Sequence, residues 1–189
     1  MKYNPDIHHR KSIRLKGYDY SKNGIYFITI CTHNRENLFG EIIDGKMIIN
    51  DAGKMVEKEI LKTNEIRENI KIEEYIIMPN HIHFVIEIVG AMPLERPNIT
   101  SNNENNNKTK TEEKIFHQGS NTMQSNTIGS IVNHIKSKVT KWCRQNSNID
   151  NVWQRNYYEN IIRNEEIYQR VSEYIKNNPQ NWTDDKYYK

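Results

Sequence analysis

Residues 78–86 have the sequence Met78-Pro79-Asn80-His81-Ile82-His83-Phe84-Val85-Ile86, and this stretch determines the predicted fold. The segment from Phe84 to Ile88 is rich in β-branched and aromatic residues and is bounded by turn-forming residues, so it predicts a strand. Successive side chains of a strand point to opposite faces, so His81 and His83 are expected on one face and Ile82 in the core. Two imidazoles on one rigid element can form half of a metal site, although two ordinary hydrogen-bonded histidines give the same pattern.

The length and the charge pattern indicate one domain over residues 1–189 with clustered basic residues. A chain of 189 residues can bury a sizeable core, and its low hydrophobic content of 35% comes largely from an Asn-rich segment. The net charge of +3 does not by itself indicate a nucleic-acid-binding protein. The basic residues are concentrated in an N-terminal arm over residues 1–22 and in a second cluster of Lys136, Lys138, Lys141 and Arg144.

Cysteine content and hydropathy narrow the class of protein. Cys31 and Cys143 are too few and too far apart for a disulfide framework or a zinc cage, so we expect two reduced thiols in the core. No apolar run approaches the ~20 residues of a membrane span, and the first residues do not begin a signal peptide. These observations predict a cytoplasmic protein that does not contact a membrane.

Further strands are predicted on both sides of the histidine strand. Residues 25–32 are almost all apolar, which favours a central strand. Residues 38–43 and 46–49 flank Asp44-Gly45, a strong hairpin signal, and residues 70–77 form another strand. The pattern therefore predicts an antiparallel sheet with helices packed on it.

Three helices are predicted from apolar spacing and capping residues. Asp51 is expected to cap a helix of about a dozen residues with a solvated Lys/Glu-rich face that includes Glu59. A second helix runs from about Thr127 to Gln145, and Asn164 caps the last one, which ends before Pro179. The predicted buried positions, in chain order, are Met55, Val56, Ile60, Leu61, Ile128, Ile131, Val132, Ile135, Val139, Trp142, Ile167, Val171 and Ile175.

The segment at about residues 91–125 differs abruptly in composition from the rest. It contains many Asn, Ser, Thr, Lys and Glu residues and almost no apolar ones. Such a segment cannot offset its ordering entropy by burial, which predicts a flexible insert. A DNA-contacting arm and tolerated low-complexity padding in a surface loop are both compatible with this composition.

Tyr174 and Asn178 lie four residues apart on the last predicted helix, so their side chains project from the same side. If this helix covers the face of His81 and His83, two imidazoles, an amide oxygen and a phenol converge. Such a set suits Mg²⁺ or Mn²⁺, whereas no cysteine or carboxylate stands at a spacing that would close a zinc cage. We expect His134 to be structural, Trp182 to pack on the fold, and the tail over residues 184–189 to fray.

The motifs in this order resemble those of the REP-associated tyrosine transposases, a group of the HUH single-tyrosine (IS200-like) transposases. His81-Ile82-His83 resembles the HUH motif, in which a bulky hydrophobic residue separates two histidines. The likeness covers most of the chain with one gap at residues 91–125. It also includes the stretches Ile13-Arg14-Leu15-Lys16-Gly17-Tyr18-Asp19-Tyr20, Phe27-Ile28-Thr29-Ile30-Cys31-Thr32-His33-Asn34-Arg35, Leu38-Phe39-Gly40-Glu41, Val152-Trp153-Gln154-Arg155-Asn156-Tyr157-Tyr158 and Glu173-Tyr174-Ile175-Lys176-Asn177-Asn178-Pro179.

The resemblance implies a fold, an activity and a set of site residues. The expected fold is α+β, a ferredoxin-like antiparallel sheet of four or five strands with packed helices. The expected enzyme, a monomer or homodimer, cuts and rejoins single-stranded DNA near hairpins through a 5′-phosphotyrosine. Tyr174 would be the nucleophile, and His81, His83 and Asn178 would bind Mg²⁺ or Mn²⁺. The residues expected to contact DNA are Arg14, Lys16, Arg35, Lys136, Lys138, Lys141, Arg144 and Arg155.

Two other classes of protein remain compatible with the sequence. A ferredoxin-like sheet with exposed aromatic and basic residues could bind single-stranded nucleic acid hairpins without cutting them. A His-x-His metallohydrolase would need a further histidine or carboxylate, for which His33 and His117 are the loose candidates. Metal-dependent covalent attachment to DNA separates the transposase from both alternatives.

Overall fold

The computed structural model describes residues 23–89 and 127–188. The predicted basic arm over residues 1–22, with Arg14 and Lys16, lies outside the described residues, and so does the predicted insert at residues 91–125 with His117. The helices and strands, in chain order, are β1 (Gly24–Cys31), β2 (Gly40–Ile43), β3 (Lys46–Ile49), α1 (Asp51–Ile66), β4 (Ile70–Met78), β5 (His81–Ile88), α2 (Ile128–Asn146), β6 (Tyr158–Ile162) and α3 (Glu165–Asn177).

Four strands form one sheet in the order β4-β5-β1-β6, and all neighbours in it are antiparallel. The hairpin β2-β3 forms a separate two-stranded sheet. Without this hairpin and α3, the chain follows β1-α1-β4-β5-α2-β6, which is the βαββαβ arrangement of ferredoxin-like folds. The predicted α+β class with a ferredoxin-like antiparallel sheet is confirmed.

The two faces of the sheet are covered by different helices. One face presents fully buried apolar residues such as Ile28 and Phe84 to the core shared with α1 and α2. The other face presents Phe27 and Val85, which belong to the apolar cluster formed with α3. Thr29 and His83 are paired across β1 and β5, two residues along from the Phe27–Val85 pair. His83 therefore lies on this second face. The alternation along β5 therefore directs both histidines toward the helix that carries Tyr174.

The hairpin β2-β3 turns at Asp44-Gly45, as its sequence predicts. Asp44 and Gly45 both have positive φ, 49° and 70°, which a type I′ turn requires at its two central residues. The first strand begins at Gly40 rather than at Leu38. Leu38 and Phe39 instead donate their backbone N–H groups to the carbonyl of Pro79, which ties the hairpin to the turn before β5.

Helix α1 differs from the prediction in its cap and in its buried side. The cap is Asn50, whose side chain accepts a hydrogen bond from Gly53 N, and the helix has 16 residues rather than about a dozen. Leu61 is 47% exposed, whereas Glu59, predicted on the solvated face, is only 3% exposed. The reason is the contact with α2, where Glu59 Oε2 lies 3.3 Å from Nε2 of His134. His134 thus links the two helices.

The other two helices begin as predicted, with side-chain caps at their N-termini. Thr127 accepts a hydrogen bond from Ser130 N before α2, and Asn164 accepts one from Ile167 N before α3. Trp142, predicted within the buried stripe of α2, is only partly buried, and the next residue, Cys143, is the buried one. Cys31 and Cys143 are both buried and unbonded to each other, as predicted, and burial raises the pKa of the Cys31 thiol to about 11. Among the described residues, no helix combines the length and the apolar character that a membrane span requires.

Gly53 provides a test of the packing between α1 and the hairpin. A Cβ atom at this position would lie 2.4 Å from the Phe39 carbonyl oxygen and 2.9 Å from Cβ of Ile49. We expect Gly53→Ala to destabilise the fold by about 1 kcal/mol or more, because such overpacking costs about 1–3 kcal/mol and outweighs the ~1 kcal/mol gain in helix propensity. Urea denaturation measures the difference. Lys54→Ala, at the exposed next position, is the control, and its stability should stay within about 0.5 kcal/mol of wild type. A Gly53→Ala variant as stable as wild type would contradict the close approach of α1 to the hairpin.

Candidate active site

His81 and His83 lie side by side at the start of β5, and both are fully buried. Their ring centroids are 4.5 Å apart. Two features of the sequence place them there: the turn at Pro79-Asn80 starts the strand at His81, and the alternation of β5 puts Ile82 into the opposite core. The pair therefore occupies the α3 side of a central strand, as the sequence predicts.

Asn80 fixes the orientation of the His81 ring. Nδ2 of Asn80 donates hydrogen bonds to two backbone carbonyl oxygens, those of Arg35 and Tyr187. These two acceptors identify this atom as the amide nitrogen and the other terminal atom of the side chain as the oxygen. That oxygen lies 2.8 Å from Nδ1 of His81. Because an amide oxygen only accepts, Nδ1 carries the proton and the lone pair of Nε2 is available. Among the described residues, this buried Nε2 has no hydrogen-bond partner.

His83 connects the sheet to the helix above it. Its Nδ1 lies 2.8 Å from the Thr29 hydroxyl, and its Nε2 lies 3.3 Å from the hydroxyl of Tyr174. Its ring stacks on Phe27 with centroids 5.1 Å apart. Burial lowers the pKa of His81 to about 4 and that of His83 well below its usual value. Both imidazoles are therefore neutral near pH 7, which is the form that binds metal ions.

Tyr174 and Asn178 share one acceptor, a carboxylate oxygen of Asp185. The Tyr174 hydroxyl donates to Oδ2 of Asp185 at 2.8 Å, and Asn178 Nδ2 donates to the same oxygen at 2.7 Å. Burial, together with this hydrogen bond to Asp185, raises the pKa of the Tyr174 phenol. Asn178 is almost completely buried, and its Oδ1 has no hydrogen-bond partner within the described residues. The two side chains thus lie on the same side of α3, as their spacing predicts.

The C-terminal tail is ordered around the site, so the expectation that residues 184–189 fray is wrong for those that the structure describes. A short 3-10 turn over Trp182–Asp184 follows α3 and leads to Asp185. The backbone N–H of Tyr187 then donates to Asp185 Oδ1, and the Tyr187 ring packs against His81 with centroids 4.6 Å apart. Burial of these aromatic residues explains why the tail stays folded: Trp182 and Tyr187 are both buried.

Asp185 supplies the carboxylate that the spacing of the sequence did not reveal. One ligand atom from each of His81, His83 and Asp185 lies within 4.8 Å of the other two. Burial acts to raise the pKa of Asp185, but hydrogen bonds from the Tyr187 N–H, Asn178 and Tyr174 outweigh it and lower the pKa overall. The site therefore contains a negative charge beside two neutral imidazoles.

These donors fit a divalent cation. The buried atoms His81 Nε2 and Asn178 Oδ1 have no hydrogen-bond partner within the described residues, and a buried polar atom without one costs about 1–3 kcal/mol. Two imidazole nitrogens, an amide oxygen and a carboxylate form a mixed N/O set that suits Mn²⁺ or Mg²⁺ with positions left for substrate oxygens. No cysteine belongs to the cluster, so the set differs from a closed structural zinc site.

The residues predicted to contact DNA fall into two groups. Arg35 lies beside the site, where its Nη1 donates to the Lys186 carbonyl at 3.0 Å and its guanidinium lies over the Tyr187 ring. Lys138, Lys141, Arg144 and Arg155 are exposed on α2 and on the segment before β6, and Arg144 pairs with Asp150 at 3.1 Å. His33, one of the loose metal candidates, does not belong to the histidine cluster.

Lys136 is partly buried, unlike the exposed cations beside it on α2, which corrects its placement on the solvated flank of this helix. Its Nζ donates to the carbonyl oxygens of Gln154 at 2.7 Å and of Asn156 at 3.0 Å. Burial lowers its pKa to about 8. The Trp153 indole N–H in turn donates to the Lys136 carbonyl, so this residue ties α2 to the segment that leads into β6.

We expect Lys136→Met to lower the stability of the fold, because it removes a charged donor from the partly buried hydrogen bond to the Gln154 carbonyl. The expected cost is about 1–3 kcal/mol in urea denaturation. Lys138→Met removes a charge from an exposed position two residues away and serves as the matched control, with an expected change of less than about 0.5 kcal/mol. Equal stabilities for the two variants would show that the Lys136 hydrogen bonds contribute nothing.

Comparisons with known proteins identify relatives in sequence and in fold. No family model matches the chain. An uncharacterised protein from Haemophilus influenzae is 44% identical over 190 residues, which cover 99% of this chain and 97% of that protein. A solved REP-associated tyrosine transposase bound to a REP hairpin matches with a TM-score of 0.57 and 18% identity, over 91% of this chain and 74% of that one.

A second solved structure, a candidate transposase from Deinococcus radiodurans, has a TM-score of 0.43 and 13% identity, over 88% of this chain and 97% of that one. The match with a TM-score of 0.57 confirms the predicted resemblance to the REP-associated tyrosine transposases at the level of the fold. The chain belongs to the same family as the Haemophilus influenzae protein, and it has the fold of a REP-associated tyrosine transposase.

Proposed function

We propose that the chain is a metal-dependent transposase that cuts and rejoins single-stranded DNA near hairpins through a 5′-phosphotyrosine intermediate. The observation that carries this proposal is the position of the Tyr174 hydroxyl, 3.3 Å from Nε2 of His83 in a cluster of buried metal-ligand atoms. A REP hairpin is bound in the solved transposase that shares this fold, which supports a DNA hairpin as substrate.

The metal would be held by His81, His83 and Asn178, with the Asp185 carboxylate in the same cluster. A bound Mg²⁺ or Mn²⁺ would polarise the phosphate that is cut and stabilise the charge that develops on it. The orientation of both histidine rings is set without the metal, because Asn80 contacts Nδ1 of His81 and Thr29 contacts Nδ1 of His83.

Tyr174 would attack the phosphorus atom in line with the leaving oxygen. The new bond joins the phenol oxygen to phosphorus, the bond to the 3′-oxygen breaks, and that oxygen leaves as a 3′-hydroxyl after it gains a proton. Asp185, which accepts the phenol hydrogen bond at 2.8 Å, would accept the phenol proton. The phosphotyrosine ester keeps the energy of the broken bond, so attack by a 3′-hydroxyl rejoins DNA without ATP.

All of these groups belong to one chain. Tyr174 contacts His83 of the same polypeptide, and Asn178 contacts Asp185 of the same tail. The geometry therefore supports cleavage in which a protomer uses its own tyrosine. A homodimer is compatible with this arrangement, but a second copy is not required to complete the cluster.

Exposed cations on α2 would bind the DNA backbone. A groove of about 530 Å³ on this helix is lined by Lys136, Lys141 and Arg144 together with polar side chains. α2 packs on the sheet face opposite α3, so this surface lies away from the histidines. It is therefore suited to hold the hairpin stem through phosphate contacts rather than the strand that is cut.

Tyr174→Phe should abolish covalent attachment to DNA, because phenylalanine lacks the attacking oxygen. The substrate is a single-stranded hairpin from the DNA that flanks the gene, labelled downstream of the cut and incubated with Mn²⁺. Wild type should give an SDS-resistant adduct on the peptide that contains Tyr174, detected on a denaturing gel and by mass spectrometry.

Tyr168→Phe is the matched control on the same helix. The Tyr168 hydroxyl donates to Glu73 rather than to the histidine cluster, so this variant should form the adduct as wild type does. An adduct that persists in Tyr174→Phe but disappears in Tyr157→Phe or Tyr158→Phe would overturn the assignment. Hairpin binding without any adduct in wild type would favour the non-catalytic binding module.

Metal binding should stabilise the fold and should depend on the histidines. Ligand at 100 times its dissociation constant stabilises a protein by about 2.7 kcal/mol, so Mn²⁺ should raise the Tm of wild type and EDTA should reverse the shift. His81→Ala and His83→Ala should lose both this shift and cleavage while they retain most hairpin binding. Asn178→Ala should be milder and partly rescued by more Mn²⁺, since water can replace one ligand.

His33→Ala is the control for a histidine outside the cluster, and it should keep both the Tm shift and cleavage. Circular dichroism establishes that each variant is folded. Cleavage at the wild-type rate in His81→Ala or His83→Ala would refute the metal role of these residues.

A further inference from the structure

A cavity of about 400 Å³ lies beside the candidate active site, and the proposed cleavage mechanism leaves it without a role. Its lining includes Phe27, Thr29, Arg35, Tyr158, Asn160 and Lys186. Phe27 forms the wall between the cavity and the catalytic groups: its ring stacks on His83 and meets the Tyr174 ring edge-on at 6.1 Å. Anything bound in the cavity would therefore lie next to the nucleophile.

The pairing of β1 with β6 explains why these side chains converge. Phe27 lies opposite Asn160, and Thr29 lies opposite Tyr158. Directly paired residues on neighbouring strands share a face of the sheet, so Tyr158 and Asn160 face the same side as His83. β6 is an edge strand, and the Tyr158 side chain is 47% exposed. An exposed aromatic ring and an exposed amide thus stand at the rim of the active site.

The charge of the cavity is suited to an anion attached to an aromatic group. Lys186 Nζ lies 4.8 Å from the centre of the Tyr187 ring, and Arg35 lies over the same ring at 5.5 Å. Glu159 is the acidic residue of the lining, so the two cations outnumber it. Aromatic surface, an amide with both a donor and an acceptor, and cations together match a nucleotide, whose base stacks and whose phosphate is negative.

We propose that this cavity holds one unpaired base of the DNA strand next to the bond that is cut, with Tyr158 stacked on the base and Asn160 hydrogen-bonded to its edge. The proposal rests on the proposed function, because the neighbouring nucleophile defines which base enters. Only a base that has left the helical stack offers both a free face and a free edge. The cavity would select the nucleotide at the cut, whereas α2 would hold the stem.

Binding measurements without metal test the stacking contact. The probe is the fluorescein-labelled hairpin with single-stranded flanks used for cleavage, titrated in EDTA so that no cutting occurs. Tyr158→Ala should weaken binding about 10-fold, as expected for the loss of one base–aromatic stack. Tyr158→Phe keeps the ring and should bind as wild type does. Tyr188→Ala removes an equally exposed tyrosine outside the cavity lining and should have no effect.

Base substitution tests the role of Asn160. Each flank nucleotide is replaced in turn by the other three bases and by an abasic site. The affinity of wild type should differ by about 10-fold between bases at one position adjacent to the cut. Asn160→Ala should reduce this difference. The variant should still bind any base at this position more tightly than an abasic site. Thermal unfolding establishes that the variants, both on an exposed edge strand, remain folded.

The outcomes separate this inference from the proposed nuclease activity. Unchanged affinity in Tyr158→Ala, or an equal loss in Tyr188→Ala, would overturn the cavity assignment even if wild type forms the covalent adduct. A specific loss in Tyr158→Ala with no adduct in wild type would retain the base site and reject the nuclease. Discrimination that Asn160→Ala leaves intact would overturn the role of the amide.

Discussion

The structure depends on one constraint, the burial of β5 on both faces. One face must be apolar because it completes the core with α1 and α2, and Ile82, Phe84 and Ile86 meet this requirement with no exposed surface. The other face lies under α3, where His81 and His83 occupy positions that water does not reach. Polar rings at such positions are tolerated only if their nitrogens have partners. The burial of β5 on both faces therefore also requires a network of hydrogen bonds around the histidines at the start of this strand.

That network is satisfied except where a ligand would bind. Asn80 and Thr29 partner the Nδ1 atoms of the two histidines, and Asp185 accepts from both Tyr174 and Asn178. The buried atoms that remain unpaired within the described part of the cluster are His81 Nε2 and Asn178 Oδ1. Polar groups left unpaired in a buried cluster reduce stability, so a cation that bonds to both would return stability to the fold. Metal binding and the packing of the C-terminal tail therefore depend on the same network of polar groups.

Local periodicity predicted the parts of the site that single elements determine. The alternation of β5 placed His81 and His83 together, and the four-residue spacing on α3 placed Tyr174 beside Asn178. Periodicity could not identify Asp185, because its position depends on a turn after α3 that long-range contacts stabilise, namely the burial of Trp182 and Tyr187 and the hydrogen bond from Asn80 to the Tyr187 carbonyl. For the same reason it misplaced Glu59 and Lys136, whose burial follows from contacts with other elements, at His134 and at the segment before β6.

The positions of the α2 cations, which are predicted to contact DNA, and of the candidate active site constrain the path of a substrate. The exposed cations of α2 lie on one side of the sheet and the histidines on the other, so a bound strand must pass an edge of the sheet to contact both. The β6 edge is suited to this passage, because Lys136 ties α2 to the residues just before β6 and the strand itself is short. Neighbouring strands are about 4.8 Å apart, so β6 lies roughly 10 Å from β5. A strand that crosses there would meet Tyr158 and Asn160 before it reaches His83, which makes these two residues the first place where a base could be read after the stem.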